Sequence, residues 1–334
     1  MRFWIGMTIS AFALYVAFSR VDPGEARDAF RDAQYVWLIP AIAFAISSLI
    51  ARTFRWSALL HPAGIGFRHL FGIQMVGYTV TTVLPFRLGD VVRVFLVGGL
   101  YGIRKVRTAA TIVVERVLDV LTVLIILMAL LPFVSISDRV KLVMWIGSAV
   151  IASLVTVILA LWFLRYRALG ALERGFRWLP KAWSARVTQH AGSVIDGLAV
   201  LSSPRMTIGV LGWTVATWLC GGGMMWVMLV AFGLPSSPAV AFFLLAMSAL
   251  SMVIPSSPGF VGVYHALLIE TLVTVFDAPS GAAASYAVMT HLLLFVPTVL
   301  FGVAYMLKER EIWEQLLRFR RERRREQDPH ASAP

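Results

Sequence analysis

Pro85-Phe86-Arg87-Leu88-Gly89-Asp90 interrupts an otherwise apolar run and decides how the chain is read. The stretch has an echo at Pro255-Ser256-Ser257-Pro258-Gly259-Phe260. In lipid, a helix broken by proline and glycine leaves main-chain groups without partners. Such a break survives only where protein or a watery cavity covers it. Two breaks at matching places in two halves of a chain point to a transporter-type site at mid-membrane.

Composition agrees with a membrane setting. Of 334 residues, 59% are hydrophobic and 14% are charged, and the mean hydropathy is +0.78. A soluble domain averages about 25% charged residues, so a globular chain with a large core is excluded. The net charge of +12 raises nucleic acid as a partner, but basic inner-face loops account for it more simply. The arginine-rich tail also lacks the interleaved aromatics that stack on bases, so no nucleic-acid role is expected. The single cysteine, Cys220, lies in an apolar run and reads as helix packing.

The pattern predicts an all-α polytopic membrane protein with about six full spans and two broken or re-entrant segments. The spans are expected near 3–18, 34–51, 108–134, 142–164, 206–232 and 282–307. The broken segments are expected near 69–100 and 239–276. Loop charge gives the orientation. Residues 52–68 carry three arginines and no acid, and 87–107 carry five basic residues against Asp90. Residues 165–186 carry six basic residues against Glu173. These belong to the cytoplasm, which places both termini inside and predicts an inner-membrane, multi-pass protein. One broken segment is then entered from inside and the other from outside, an inverted repeat of 1–134 and 142–307. Val83-Leu84-Pro85 aligns without gaps on Val253-Ile254-Pro255, and Gly89 falls on Gly259.

Residues 1–307 therefore read as one integral membrane domain. Within the second repeat, 165–205 is a connector with two amphipathic stretches on the inner surface. The tail 308–334, with Arg318-Phe319-Arg320-Arg321-Glu322-Arg323-Arg324-Arg325, is expected to lie against anionic lipid.

Arg87, Asp90 and Arg93 gather at the first break. If helix resumes at Leu88, Asp90 and Arg93 share a face. The guanidinium fork matches phosphate oxygens, and a topogenic basic turn is the alternative. Glu115, Arg116 and Asp119 lie inside an apolar run, where charge costs several kcal/mol unless paired or hydrated. Their spacing lets them cluster, Arg116 neutralising one acid and Arg87 or Arg93 the other. A purely structural ion network is the competing reading. Ser256 and Ser257 at the second break could meet a headgroup or an ion, and Pro85, Gly89, Pro255, Pro258, Gly259 and Gly262 act as breaks or hinges. His265 and His291 could titrate near neutrality, although a lone membrane histidine is usually a hydrogen-bonded packing residue. No hydrolase, metal or nucleotide signature is present, so no catalytic residue, metal or cofactor is expected.

The ordered motifs resemble the lysylphosphatidylglycerol synthase transmembrane, or flippase-like, family. They are Arg52-Thr53-Phe54-Arg55-Trp56, Leu84 to Asp90 followed by Arg93, Glu115 to Asp119, and Pro255 to Gly262. Order and spacing agree over roughly residues 5–307. Where the family often has a carboxylate after the last glycine, this chain has His265. The resemblance implies a bacterial-type inner-membrane protein that translocates a phospholipid or lipid-linked substrate. It also implies that only a short basic tail stands where the full synthase has its aminoacyl-transferase domain. Alternatives are a membrane-embedded enzyme acting on a lipid- or polyprenyl-linked phosphate, with Asp90, Glu115 or Asp119 as base, and a non-catalytic partner of a lipid synthase. A homo-oligomer is compatible with each.

Overall fold

A computed structural model describes residues 2–19, 21–84, 88–130, 153, 203–252, 257–309 and 311–315. No β-strand occurs among them. Besides a helical turn at 311–315 they include these α-helices: α1 Arg2–Phe18, α2 Pro23–Asp32, α3 Leu38–Leu60, α4 Phe67–Val83, α5 Leu88–Tyr101, α6 Lys105–Leu130, α7 Pro204–Ala231, α8 Pro238–Ser251, α9 Val263–Phe276 and α10 Ser280–Lys308. Pro85, Arg87, Pro255, Ser256, the 142–164 span, most of the connector and the basic run after 315 lie outside the described residues.

Four helical stretches are long and apolar enough to cross a membrane: Tyr35–Leu60, Pro204–Ala231, Pro258–Phe276 and Ser280–Lys308. The chain is thus a multi-pass membrane protein. Helix α6 has 26 residues but carries Glu115, Arg116 and Asp119 within its length, and stands apart from those four. The charged segment after α1 contains the helix α2. The Asp22 carboxylate caps it by accepting from the Gly24 N–H at 2.6 Å, and Pro23 occupies the first turn, where its missing N–H costs nothing.

Two runs of four helices share one pattern of long, short, short, long. The first is α3 to α6, with 23, 17, 14 and 26 residues. The second is α7 to α10, with 28, 14, 14 and 29. Between the two short helices of each run lies one of the Pro/Gly breaks. Packing is reciprocal: α3 lies along α7, α4 packs on α10, and α8 packs on α6. Small residues allow these approaches, as expected where helices associate without a hydrophobic driving force. A Cβ on Gly89 would collide with the Gly77 carbonyl, so α4 and α5 cross with main chains touching.

One expected boundary moves. The span predicted to end at Ala51 continues as helix α3 to Leu60. Arg52 and Arg55 are therefore helical residues, not part of a basic loop, and Arg55 is completely buried. Carboxylates from α6 make that possible.

Candidate functional site

Helix α3 presents Arg52 and Arg55 one turn apart, α5 presents Asp90 and Arg93, and α6 presents Glu115, Arg116 and Asp119. Tyr78 of α4 completes the group. The Arg93 Nη2 donates to Glu115 Oε2 at 2.9 Å, and its Nη1 to Oε1 at 3.4 Å. Arg55 donates from Nη1 to Asp119 Oδ1 at 2.7 Å and holds Glu115 at 3.5 Å through Nη2. The Tyr78 hydroxyl donates to Glu115 Oε1 at 3.3 Å. Arg55, Arg93 and Glu115 have no exposed side-chain surface. Buried ions this close require good geometry, because desolvation opposes their attraction. Two cations gripping one acid supply it.

A second tier faces a cavity. Arg116 donates to Asp90 at 3.0 Å and 3.3 Å and to Asp119 Oδ2 at 3.3 Å. Arg52 reaches Asp119 only at 4.0 Å. The Arg52 and Arg116 side chains are 28% and 30% exposed. Among the described residues the cluster holds four guanidiniums and three carboxylates, leaving one positive charge in excess.

Trp56 explains its place beside Arg55. Its ring lies 3.9 Å from the Arg93 guanidinium, a cation–π contact that is strongest when desolvated. Its indole N–H donates to Thr111 Oγ1 at 3.1 Å. The Arg-x-x-Arg-Trp block thus performs three tasks: Arg52 meets the cavity, Arg55 bridges two acids, and Trp56 covers Arg93.

The cavity measures about 150 Å³ and lies between the two runs of helices. Its polar wall comes from the first run: Arg52, Tyr78, Thr81, Thr82, Asp90 and Arg116. Leu49 joins it there. The opposite wall is Met252, Phe260, Leu294 and Phe295, with Thr298. Phe260 belongs to the second break. There Pro258–Phe260 forms a 3-10 turn, with Gly259 at φ 70° and Phe260 at φ 58°.

The break is anchored rather than open. Ser257 N–H donates to the Ser10 hydroxyl of α1 at 2.7 Å, and its own hydroxyl donates to the Val261 carbonyl at 2.9 Å. Gly262, at φ 97°, lies so close to the Ser10 carbonyl that a Cβ would collide. These bonds engage Ser257 within the protein, whereas the sequence left it available to a headgroup. His265 is buried and lies 3.3 Å from His291. Neither is a lone histidine.

The structure therefore brings together Asp90, Arg93, Glu115, Arg116 and Asp119 among the expected site residues. His265, Ser257, Pro258, Gly259 and Gly262 gather separately at the second break. Sequence reasoning used Arg52 and Arg55 for loop charge and for the resemblance and missed their place in the site, along with Tyr78. The signal was present: two arginines one turn apart at the end of an apolar run, the same spacing as the charges on α6.

The UPF0104 membrane protein of Methanothermobacter thermautotrophicus is 26% identical over 317 residues, covering 89% of this chain and 93% of that protein. Glycosyltransferase AglD of Haloferax volcanii is 26% identical over 338 residues, covering 90% of this chain. The match spans only 53% of AglD, about half its length. No solved structure matches. The family model for the lysylphosphatidylglycerol synthase TM region matches residues 3–302, and with the motifs and helices agreeing along that length, the chain belongs to this family.

Proposed function

We propose that the protein translocates a phospholipid or lipid-linked substrate across the cytoplasmic membrane. The two-faced cavity carries the reading. Arginines with an uncompensated positive charge form one wall and apolar side chains form the other. A phosphate would exchange into the loosely held Arg52 and the partly exposed Arg116, since the guanidinium fork fits its oxygens. The lipid tails would stay against Phe260, Leu294 and Phe295. Arg87 would join the first wall, Gly89 would let the main chain approach, and Ser256 would line the second break.

The repeated helix pattern and the reciprocal packing are consistent with an inverted repeat, and on this reading the chain makes six full spans with both termini on the cytoplasmic side, as the loop charge suggests. The tail would rest on anionic lipid, with a homo-oligomer or a lipid-synthesis partner as further contacts. The experiment is reconstitution of the full chain with a fluorescent phospholipid and a membrane-impermeant quencher. Translocation lost in Arg52→Ala and Arg87→Ala supports the reading. Equal rates in variants and wild type across several lipid classes would count decisively against it.

A second reading is favoured by one finding, the relative named a glycosyltransferase. On that reading the same cavity receives a lipid-linked sugar or polyprenyl phosphate, as part of an enzyme. Product formed from a labelled polyprenyl phosphate by the purified chain would establish it.

A further inference from the structure

The second break is closed by a directional chain of hydrogen bonds through two imidazoles. Gly262 N–H points to His265 Nδ1 at 3.5 Å. His265 Nε2 meets His291 Nδ1 at 3.3 Å. His291 Nε2 meets the Gly259 carbonyl at 3.0 Å. The two ends of the chain are unambiguous, because a main-chain N–H only donates and a carbonyl only accepts. They assign both tautomers. His265 accepts at Nδ1 and donates from Nε2; His291 accepts at Nδ1 and donates from Nε2. Both rings are neutral, and together they tie the N-terminus of α9 to the 3-10 turn before it.

We propose that this His265–His291 pair is a proton-binding site whose occupancy releases the second break. The neutral pair has two N–H groups and two bare nitrogens, and all four are engaged. A third proton has no free place. On His265 Nδ1 it faces the Gly262 N–H. On His291 Nδ1 it faces the His265 Nε2–H, and shifting that proton across the ring only moves the conflict back to Gly262. Every placement sets two donors face to face, so uptake of one proton from water breaks one link and leaves the rest of the chain's atoms in place.

The surroundings offer the added charge no counter-ion. Tyr264 of α9 stacks on His291 at 4.9 Å, Phe295 of α10 meets it edge-on at 4.3 Å, and Phe18 of α1 lies 6.2 Å from His265. Among the described residues the titratable group against the pair is Tyr264, whose hydroxyl donates to Thr290. Among the described residues no carboxylate or cation acts on either ring, from α1, α9 and α10 or from α4 and α8, which pack against the 3-10 turn and α9. A charged imidazole is relieved by turning toward water, and Val261, 37% exposed, marks where the break reaches the protein surface. Phe260 and Phe295 then move with it. Both line the cavity, so the proton acts on the apolar wall without touching the arginines opposite.

The test places a nitroxide at Val261→Cys in a Cys220→Ser background, in the full chain reconstituted in vesicles. Its mobility and its collisions with a water-soluble nickel chelate are followed from about pH 8 to about pH 3.5, a range that runs from well above to well below ordinary imidazole titration. A several-fold, reversible rise in collision rate as pH falls is expected, and a flat response in His265→Gln and His291→Gln. Histidine 15N spectra at high pH provide a check independent of folding of the variants: both rings should show Nε2-protonated tautomers with a nitrogen–nitrogen coupling between them. A wild-type spin label insensitive to pH, or Gln variants that respond like wild type, would overturn the proposal. No transported lipid enters either measurement, so the site stands or falls apart from translocation.

Discussion

Arg93 and Glu115 face each other through two N–H···O contacts, 2.9 Å and 3.4 Å, with neither side chain exposed. They join α6 to α5, the helix that follows the first break. Removing one partner of such a pair leaves the other charge buried alone. Glu115→Ala leaves Arg93 with only Asp90 at 3.5 Å, removes one of the two acids that Arg55 bridges, and should cost about 3–5 kcal/mol. The measurement is the unfolding midpoint in detergent. The double replacement Arg93→Met with Glu115→Leu should recover part of that loss, because apolar isosteres carry no desolvation cost.

Arg52 behaves differently. Its contact to Asp119 is long and its side chain is 28% exposed. Partly exposed pairs contribute about 0–1 kcal/mol, so Arg52→Ala should leave the unfolding midpoint nearly unchanged. Phospholipid translocation should nevertheless fall at least severalfold, with partial rescue by Arg52→Lys. A variant that loses stability and activity in parallel would make Arg52 a brace instead of a contact for substrate.

The crossing of α4 and α5 is steric and should be intolerant. Gly89→Ala drives a methyl group into the Gly77 carbonyl, and overpacking of this kind costs about 1–3 kcal/mol. Gly66→Ala is the control, since nothing lies within 4 Å of the added methyl. Comparison of the two by thermal unfolding isolates the crossing from the general effect of losing a glycine.

Filling the cavity separates transport from folding. Thr82 lines it, is partly buried, and bonds only to its own helix at the Tyr78 carbonyl, 3.0 Å. Thr82→Phe should abolish translocation while the protein keeps its chromatographic profile and unfolding midpoint. Undiminished transport in that variant would mean that substrate takes another route.

The sequence made the breaks legible because proline and glycine have fixed conformational meaning. It made the charged face of α6 legible because helical spacing puts Arg116 and Asp119 on one side. Counting unpaired acids called for a second cation, Arg87 or Arg93, and Arg93 fills that place at Glu115. Arg55 was not legible. Basic residues at the end of an apolar run read as a cytoplasmic loop, and only the carboxylates of α6, some 60 residues on, reveal them as buried. The pairing of His265 with His291 was hidden for the same reason. Their separation of 26 residues has no local periodicity, and the fold alone joins them. The side-chain positions of Arg87 and Ser256 lie outside the described residues.

The bridging of Glu115 by arginines from α3 and α5 bears on how the protein is made. A ribosome delivers Arg52, Arg55 and Arg93 to the translocon before Glu115 and Asp119 are synthesised. Until those acids arrive, Arg52 and Arg55 lack the acids that they meet in the fold and Arg93 has only Asp90 at 3.5 Å, in hydrocarbon, where each charge is costly. The helices α3 to α5 must therefore wait at the membrane edge or in the insertion channel and enter the bilayer together with α6, as one neutralised bundle rather than one helix at a time.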